Sequence, residues 1–241
     1  MKDLLTFAIE AHGGLKRWND LSEVSADLDV GGVLWGLKGQ QGFVGPSRIA
    51  ASLHYQWASH SPFLEPAHRT AFNAEHVAIE TQDGLLVEAR ENTRGSFAGH
   101  KLETPWDRIQ LAYFAGYAMW TYLTSPFSLV TEGFESAEVE PWQENGETWR
   151  ALRVRFPKSI TTHSTEQIFY FDDEGLLRRH DYDVDISAGS GAAHYAYDHQ
   201  SFNGIIEVHH DGIKVLYAPI YLNQGGGDAV CNAISRRAAH L

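Results

Sequence analysis

The stretch Thr104–Phe127, TPWDRIQLAYFAGYAMWTYLTSPF, decides the fold that this sequence predicts. It indicates one long helix in a chain that otherwise alternates in the manner of β-strands. Thr104 can cap the start of this helix, with Asp107 three residues later in the place of the Glu or Gln of a capping box. Ser125-Pro126 marks the end, because the residue before a proline disfavours the helical conformation.

Almost no polar face remains on this helix. A helix that is apolar all round is buried on all sides or lies in a membrane. The apolar run Leu111–Leu123 is shorter than the roughly 20 residues that a membrane span needs. The sequence therefore predicts no membrane span, and a helix packed inside a β-structure. The apolar and aromatic residues that carry this prediction are Ile109, Leu111, Tyr113, Phe114, Tyr117, Met119, Trp120, Tyr122 and Leu123.

The composition limits the classes of function. A chain of 241 residues is long enough for one large β-rich domain. Its net charge of −12 disfavours nucleic acid and anionic membrane surfaces as partners. One cysteine, Cys231, leaves no intrachain disulfide and no cysteine metal cluster. The opening MKDLLTFAIEAHGG lacks the pattern of a signal peptide, so the expected location is cytoplasmic.

The residues before the central helix predict one helix and then strands. Asp3–Trp18 has a helical stripe of apolar residues that Gly13-Gly14 weakens or ends early. In Val24–Val30 the period changes to two, with Val24, Ala26, Leu28 and Val30 on one face. Further strands are predicted at Val33–Lys38, Ile49–Ser59, His76–Thr81 and Leu85–Arg90, the last two joined by Asp83-Gly84.

After the central helix, turn signals are dense enough to predict an antiparallel meander. The turns are expected at Asn145-Gly146, Asp172–Gly175, Asn203-Gly204 and Asp211-Gly212, between strands that run from Ser136 to Tyr217. One β-rich domain is predicted over residues 1–219. The tail, 220–241, is left open between a short helix and disorder.

This order of elements resembles the lipoprotein-carrier (LolA-like) fold. The opening AHGGLKRWNDLSEVSADLDVGG, residues 11–32, is similar to the first helix and strand of bacterial relatives of that fold, and the resemblance covers Asp3–Tyr217. It implies a mainly β (α+β) fold: a curved antiparallel half-barrel around a long apolar helix, with an N-terminal helix. It also implies a helix-lidded apolar cavity that holds acyl chains. It supplies no catalytic motif and no cofactor.

The strand Leu176–Ile186 offers candidate polar groups for such a cavity. Alternation places Arg178, His180 and Tyr182 on its apolar, inward face. Such an Arg and His could bind a carboxylate or phosphate head group, and His180 could act as a general acid or base. The alternative is that neighbouring strands or backbone carbonyls satisfy both side chains.

The thirteen histidines do not predict a metal site. His194 and His199 lie on opposite faces of one predicted strand, so a regular strand cannot bring them to one ion. A site assembled from several strands, such as His163, His180 and His199, is left open. Its ligands would be histidines and carboxylates.

The aromatic residues support a binding function. They fill large cores, and they also line pockets for apolar ligands. The leading hypothesis is a soluble protein that holds a lipid or other hydrophobic small molecule between the curved sheet and the central helix. Arg178, His180 and Tyr182 are expected at its polar end, with Tyr113, Tyr117 and Trp120 on the helix side.

Two other functions stay open at this stage. An enzyme could use the same cavity for hydrolysis or isomerisation, with His180 as the acid or base. The third possibility is a structural domain whose aromatic residues simply fill the core. The oligomeric state is not predicted.

Overall fold

The structure is a computed structural model of the chain, and it describes residues 3–208, 214–216 and 231–240. The helices are α1 (Leu4–Ala11), α2 (Leu15–Asn19), α3 (Leu34–Leu37) and α4 (Arg108–Thr124). The strands before α4 are β1 (Glu23–Val30), β2 (Gly45–Ser52), β3 (Trp57–Ser61), β4 (His68–Asn73), β5 (His76–Thr81) and β6 (Leu86–Glu91). The strands after it are β7 (Glu135–Glu144), β8 (Glu147–Arg155), β9 (Glu166–Phe171), β10 (Leu177–Val184), β11 (Ser190–Tyr195), β12 (His199–Phe202), β13 (Ile205–Val208), β14 (Lys214–Leu216) and β15 (Cys231–His240).

Two antiparallel sheets contain most of these strands. The first has the order β14-β15-β1-β2-β3-β4-β5-β6, and the second has the order β11-β10-β9-β8-β7. Strands adjacent in the chain are adjacent in each sheet, as expected for a meander, except that β15 returns to pair with β1. In that pairing Ala26 lies opposite Ala239 on one side and Ile49 on the other. β12 and β13 form a separate hairpin.

Helix α4 lies between the sheets and is the centre of the core. It packs on β2 to β6 of the eight-stranded sheet. The same core includes Tyr182, which lies on β10 of the five-stranded sheet, and Ile186, which comes just after β10. α1 covers the rest of that sheet, where Leu4 and Ala8 pack with Phe169. The predicted arrangement of a buried helix inside antiparallel β-structure is therefore confirmed.

The start of α4 differs from the prediction. Asp107 is the N-cap, and its carboxylate accepts a hydrogen bond from the backbone N–H of Gln110 at 2.8 Å. The Gln110 side chain accepts the backbone N–H of Asp107 in return, which completes a capping box. Thr104 instead accepts the N–H of Lys101 in the preceding turn. The predicted end is confirmed, since Ser125 is the C-cap.

Three predicted strands were wrong. Ala193–Phe202 was predicted as one strand, but residues 196–198 separate β11 from β12, so His194 and His199 lie on different strands. Val33–Lys38 was predicted as a strand, but Leu34–Leu37 forms α3. Ile49–Ser59 was predicted as one strand, but residues 53–56 bend and separate β2 from β3. The bend reverses the phase of the alternation, so that Ile49 and Ala51 are buried in β2 and Ala58 is buried in β3.

The N-terminal helical region divides at the predicted glycines. Gly13 has a φ of +119°, and a Cβ there would lie 2.2 Å from the carbonyl oxygen of Gly204. The β12–β13 turn thus packs directly on the chain between α1 and α2. The backbone N–H of Ile206 also donates to His12 O at 2.9 Å.

The predicted turn pairs join strands where the structure describes them. Asn145-Gly146 and Asn203-Gly204 have positive φ at both residues, which suits tight hairpins. Asp211-Gly212 lies outside the described residues. Of the tail, residues 231–240 are described and form β15, a state that the sequence did not predict. The division into one domain and a tail stays a prediction.

Candidate functional site

An apolar cavity lies between α4 and the eight-stranded sheet, and we refer to it as the cavity. Its volume, taken as the space open to the centre of a water molecule, is about 20 Å³. A cavity of this size holds about one water molecule. Its lining residues come from β1, β3, α4 and the segment between β1 and β2: Leu28, Val30, Trp35, Phe43, His60, Phe114, Ala115, Ala118, Met119 and Tyr122.

The residues of α4 explain why space remains here. At Gly116 the helix backbone meets the sheet so closely that a Cβ would lie 2.4 Å from Phe72 Cγ. On the part of the helix that lines the cavity, Ala115 and Ala118 have only methyl side chains. The contact with Phe72 fixes the distance of the helix from the sheet, and the two alanines leave the gap.

His60 is one of the two polar side chains in the lining. It lies on β3 with 1% of its surface exposed. Its Nδ1 has no hydrogen-bond partner among the described residues. Burial lowers the pKa of His60 to about 3, so the ring is neutral at physiological pH. A buried polar atom without a partner costs about 1–3 kcal/mol.

Tyr122 is the other polar side chain, and it links the cavity to a group of stacked rings. Its hydroxyl lies 2.6 Å from the hydroxyl of Tyr182 and 3.0 Å from Nε2 of His163. The His163 ring stacks on Tyr182 with a centroid distance of 3.8 Å. We call Tyr122, His163, His180, Tyr182 and Phe169 the ring cluster.

His180 lies deep in the ring cluster. Its ring stacks on Phe169 at 4.0 Å, and its Nε2 lies 2.6 Å from the side-chain oxygen of Gln167. Burial is the main cause that lowers the pKa values of His163 and His180 well below the usual range, and the nearby His194 acts in the same direction. These two histidines are therefore neutral structural groups at pH 7.

The six residues predicted to bind ligand do not form one site, although some of them are neighbours in pairs, and none of them lines the cavity. His180 and Tyr182 are buried as the alternation predicts. Tyr113 and Tyr117 pack on each other, with 5.4 Å between their ring centroids. Trp120 donates its indole N–H to the carbonyls of Ser52 and Tyr55, at 3.0 and 3.1 Å.

The alternation predicted that Arg178 would share the inward environment of His180. The structure places it elsewhere. A β-bulge between Leu177 and Arg179 interrupts the pairing of β10 with β9 and re-aims the intervening side chain. The guanidinium of Arg178 lies 5.8 Å from the centroid of Trp149 and 3.6 Å from the carboxylate of Asp172. Trp149 belongs to a separate cluster on the other face of the five-stranded sheet.

The segment of residues 31–44 forms a wall of the cavity without belonging to a sheet. It contributes Trp35 and Phe43 to the lining. Lys38 holds this segment in place, because its buried ammonium donates to Leu102 O at 2.6 Å and to Ser187 Oγ at 3.1 Å. Burial lowers the pKa of Lys38 to about 8, and the nearby Glu103 opposes this effect.

The histidines do not form a metal centre in the part of the chain that the structure describes, where no three metal-binding side chains come together. His163 and His180 lie in the ring cluster, whereas His199 packs 6.4 Å from His12 and bonds Leu177 O. Among the same residues, no helix has the length and apolar character to cross a membrane.

No protein-family model matches the chain, and no curated protein matches it. Solved structures do match the chain. Each of the three described next covers 98% of this chain and 91% of its own length. A domain assigned to outer membrane lipoprotein sorting, from Vibrio parahaemolyticus, has a TM-score of 0.55 at 10% identity. A LolA superfamily protein from Nitrosomonas europaea has a TM-score of 0.53 at 6% sequence identity. A DUF1329 family protein from Desulfovibrio piger has a TM-score of 0.51 at 9% sequence identity.

Identities this low show similarity of fold alone. The predicted resemblance is confirmed at that level: the chain has the LolA-like half-barrel, with antiparallel sheets that do not close and helices packed on them. The predicted fold class, mainly β (α+β), is confirmed with it.

Sequence reasoning missed both polar residues of the cavity. His60 comes just after the predicted strand Ile49–Ser59, and the unrecognised bend at 53–56 concealed its phase. Tyr122 was recognised only as one of many aromatic residues on α4. The signal for Tyr122 was its spacing from Ala115 and Ala118, which places all three on neighbouring helical positions of one face.

Proposed function

We propose that the protein binds a hydrophobic small molecule or a lipid between the eight-stranded sheet and α4. The observation that carries this proposal is the cavity itself, whose lining has eight apolar side chains and two neutral polar ones. Ligand sites are commonly apolar clefts with a few polar groups that fix orientation. The structural neighbours assigned to lipoprotein sorting and to the LolA superfamily add support from a shared fold.

The cavity holds about one water molecule in this conformation, so binding a larger molecule requires one wall to move. The segment 31–44 is the wall best suited to this, because it contains no strand. Gly32 lies near its start, and Gly45, the first residue of β2, follows its end; both have positive φ. Side-chain bonds hold it, from Lys38 to Leu102 O and from Gln40 to Trp106 O. Displacing this segment outward would enlarge the cavity while the sheet and α4 stay in place.

The alternative, an enzyme with His180 as acid or base, has less support. A buried polar cluster is present, as that alternative requires. However, the pKa values of His163 and His180 are lowered away from neutrality, whereas an effective acid–base group has a pKa near the working pH. Nε2 of His180 is also engaged by Gln167, and the residue does not line the cavity.

Native mass spectrometry of the purified protein tests the proposal, followed by organic extraction and identification of released compounds. We expect a co-purifying apolar compound, and we expect Ala118→Leu to reduce its retention because leucine fills the cavity. Ala137→Leu is the matched control, since Ala137 is exposed on β7. A clean mass for the wild type, with no apolar compound retained after incubation with a lipid extract, would contradict the proposal.

A further inference from the structure

We infer that His60 is the anchor for the polar group of the ligand, and that this ligand is uncharged: a hydrocarbon body with a single hydroxyl or carbonyl group. The inference rests on the proposed function and specifies the ligand class. It starts from an imbalance in the cavity wall, where a fully enclosed ring nitrogen has no partner among the described residues.

Surrounding residues do not relieve this imbalance. The ring of Phe43 packs on His60 in an edge-to-face arrangement, with 5.9 Å between the ring centroids, and it offers no hydrogen bond. The side chain of Thr70 accepts the backbone N–H of His60 and leaves its ring untouched. Other buried atoms also lack a partner among the described residues, for example Nδ1 of His100 and Oγ of Ser128, but neither of those residues lines the cavity. Since native proteins pair most of their buried polar atoms, a ligand in the cavity is the partner that this position of His60 suggests.

The ligand must be neutral because the cavity offers no opposite charge. None of the ten described lining residues is Asp, Glu, Lys or Arg. Lys38, a cation of the segment 31–44, directs its ammonium to backbone carbonyls and to Ser187. The imidazole of His60 is itself neutral, because burial lowers its pKa to about 3. A carboxylate or phosphate buried here would lose its hydration without compensation.

The neutral imidazole fits both kinds of polar group. One ring nitrogen donates a hydrogen bond and the other accepts one, so a hydroxyl or a carbonyl can pair with it. The hydroxyl of Tyr122, the second polar side chain of the lining, is already bonded to Tyr182. Among the described lining residues, His60 is therefore the side chain with a ring nitrogen that has no partner, and a ligand hydroxyl or carbonyl is the kind of group that would satisfy it.

Three ten-carbon probes test this inference at pH 7.5: decan-1-ol, decanoate and n-decane. Each is measured by its displacement of the uncharged apolar dye N-phenyl-1-naphthylamine from the full chain. We expect decanoate to bind at least roughly tenfold more weakly than decan-1-ol, since a carboxylate pays the larger desolvation cost. In His60→Leu, decan-1-ol should bind roughly three- to tenfold more weakly, while n-decane keeps its affinity.

Two variants separate an anchor from a structural role. His60→Gln retains a donor and an acceptor and should restore part of the affinity for decan-1-ol. His76→Leu, a histidine on β5 outside the lining, should leave all three affinities unchanged. Decanoate binding as tightly as decan-1-ol, or an equal loss for decan-1-ol and n-decane in His60→Leu, would overturn the inference. If neither the dye nor any probe binds, the proposed function itself fails.

Discussion

The two sides of α4 are buried by different chemistry. Towards the eight-stranded sheet the helix meets aliphatic and aromatic side chains, and the packing leaves the cavity. Towards the five-stranded sheet it meets the ring cluster, where His163 stacks on Tyr182 and bonds Tyr122. One side has a polar atom of His60 without a partner beside empty space. The other has neutral histidines that stack on neighbouring rings and form hydrogen bonds through Nε2, although Nδ1 of His163 is also buried without a partner among the described residues.

This difference distinguishes a place that can accept a ligand from a place that holds the fold together. Protein interiors are normally packed to the density of organic crystals, so residual space is informative. A buried polar atom without a partner that belongs to the wall of such a space can be satisfied by a ligand, and among the residues described here that atom is Nδ1 of His60. The four predictions below test the comparison, beginning with the largest expected effect.

Acidification should destabilise both sides of α4 together. His12 and His60 have folded pKa values of about 4 and 3, below the usual 6.5. The unfolded chain therefore binds more protons than the folded one below pH 6.5, and the stability present above that pH is lost as pH falls towards 4. As the pH falls from 6.5 to 5, each of these two histidines lowers the free energy of unfolding by about 1.6 kcal/mol. His163 and His180 act in the same direction.

Urea unfolding at pH 7.5, 6.5, 5.8 and 5.0 measures this loss. In His12→Gln the slope of the unfolding free energy against pH should fall by about 1.4 kcal/mol per unit. A free energy of unfolding that stays constant from pH 7.5 to 5.0 would show that these histidines are not held neutral by burial.

Trp120→Ala should cost about 3–5 kcal/mol of stability, the usual range for removing a large buried aromatic side chain. The indole is 3% exposed and bonds two carbonyls at the end of β2, so its loss leaves both a hole and two unpaired acceptors. Tyr55→Ala, at a side chain 65% exposed, is the control and should change stability by less than about 1 kcal/mol. Similar losses in both variants would contradict a structural role for Trp120.

Gly116→Ala should destabilise the protein by about 1–3 kcal/mol through overpacking against Phe72, even though alanine favours helix by up to about 1 kcal/mol. Gly36→Ala in α3 is the matched control, because a Cβ there meets nothing within 4 Å. It should be neutral or slightly stabilising. Thermal unfolding of the two variants gives the comparison. Equal effects would mean that the close contact at Gly116 does not set the position of α4.

Tyr182→Phe should cost about 1 kcal/mol, because it removes one hydroxyl from the bond to Tyr122 and leaves the stacking on His163 in place. A double-mutant cycle with Tyr122→Phe isolates the pair. We expect the double variant to lose less than the sum of the single losses. Strict additivity would indicate that the ring cluster is held by packing alone.

The sequence predicts the elements whose signals are local. The end of α4 at Ser125, the burial of its whole surface and the hairpin at Asn145-Gly146 all follow from nearby residues. The start of α4 was misplaced because two capping patterns overlap there. Thr104 and Asp107 can both cap a helix, and only the tertiary structure shows that Gln110 completes the box with Asp107.

The site was harder to predict because it depends on the phase of the alternation along the strands and on the distance between α4 and the eight-stranded sheet. The bulge in β10 moved Arg178 away from His180, and the bend before β3 hid the inward direction of His60. Neither irregularity has a distinctive sequence signal. The cavity is also a property of packing: it exists because Gly116 brings α4 close to Phe72 while Ala118 leaves space. No single residue type reveals such a balance.

The most direct test of the central claim is methyl NMR during a titration with decan-1-ol. The side-chain methyls of Ala115, Ala118 and Met119 line the cavity, and the methyl of Ala137 is exposed on β7 as an internal control. Binding in the cavity predicts saturable shifts at the first three methyls with a common dissociation constant, and no shift at Ala137. Unchanged cavity methyls, or shifts that grow linearly at Ala137 alone, would contradict ligand binding between α4 and the eight-stranded sheet.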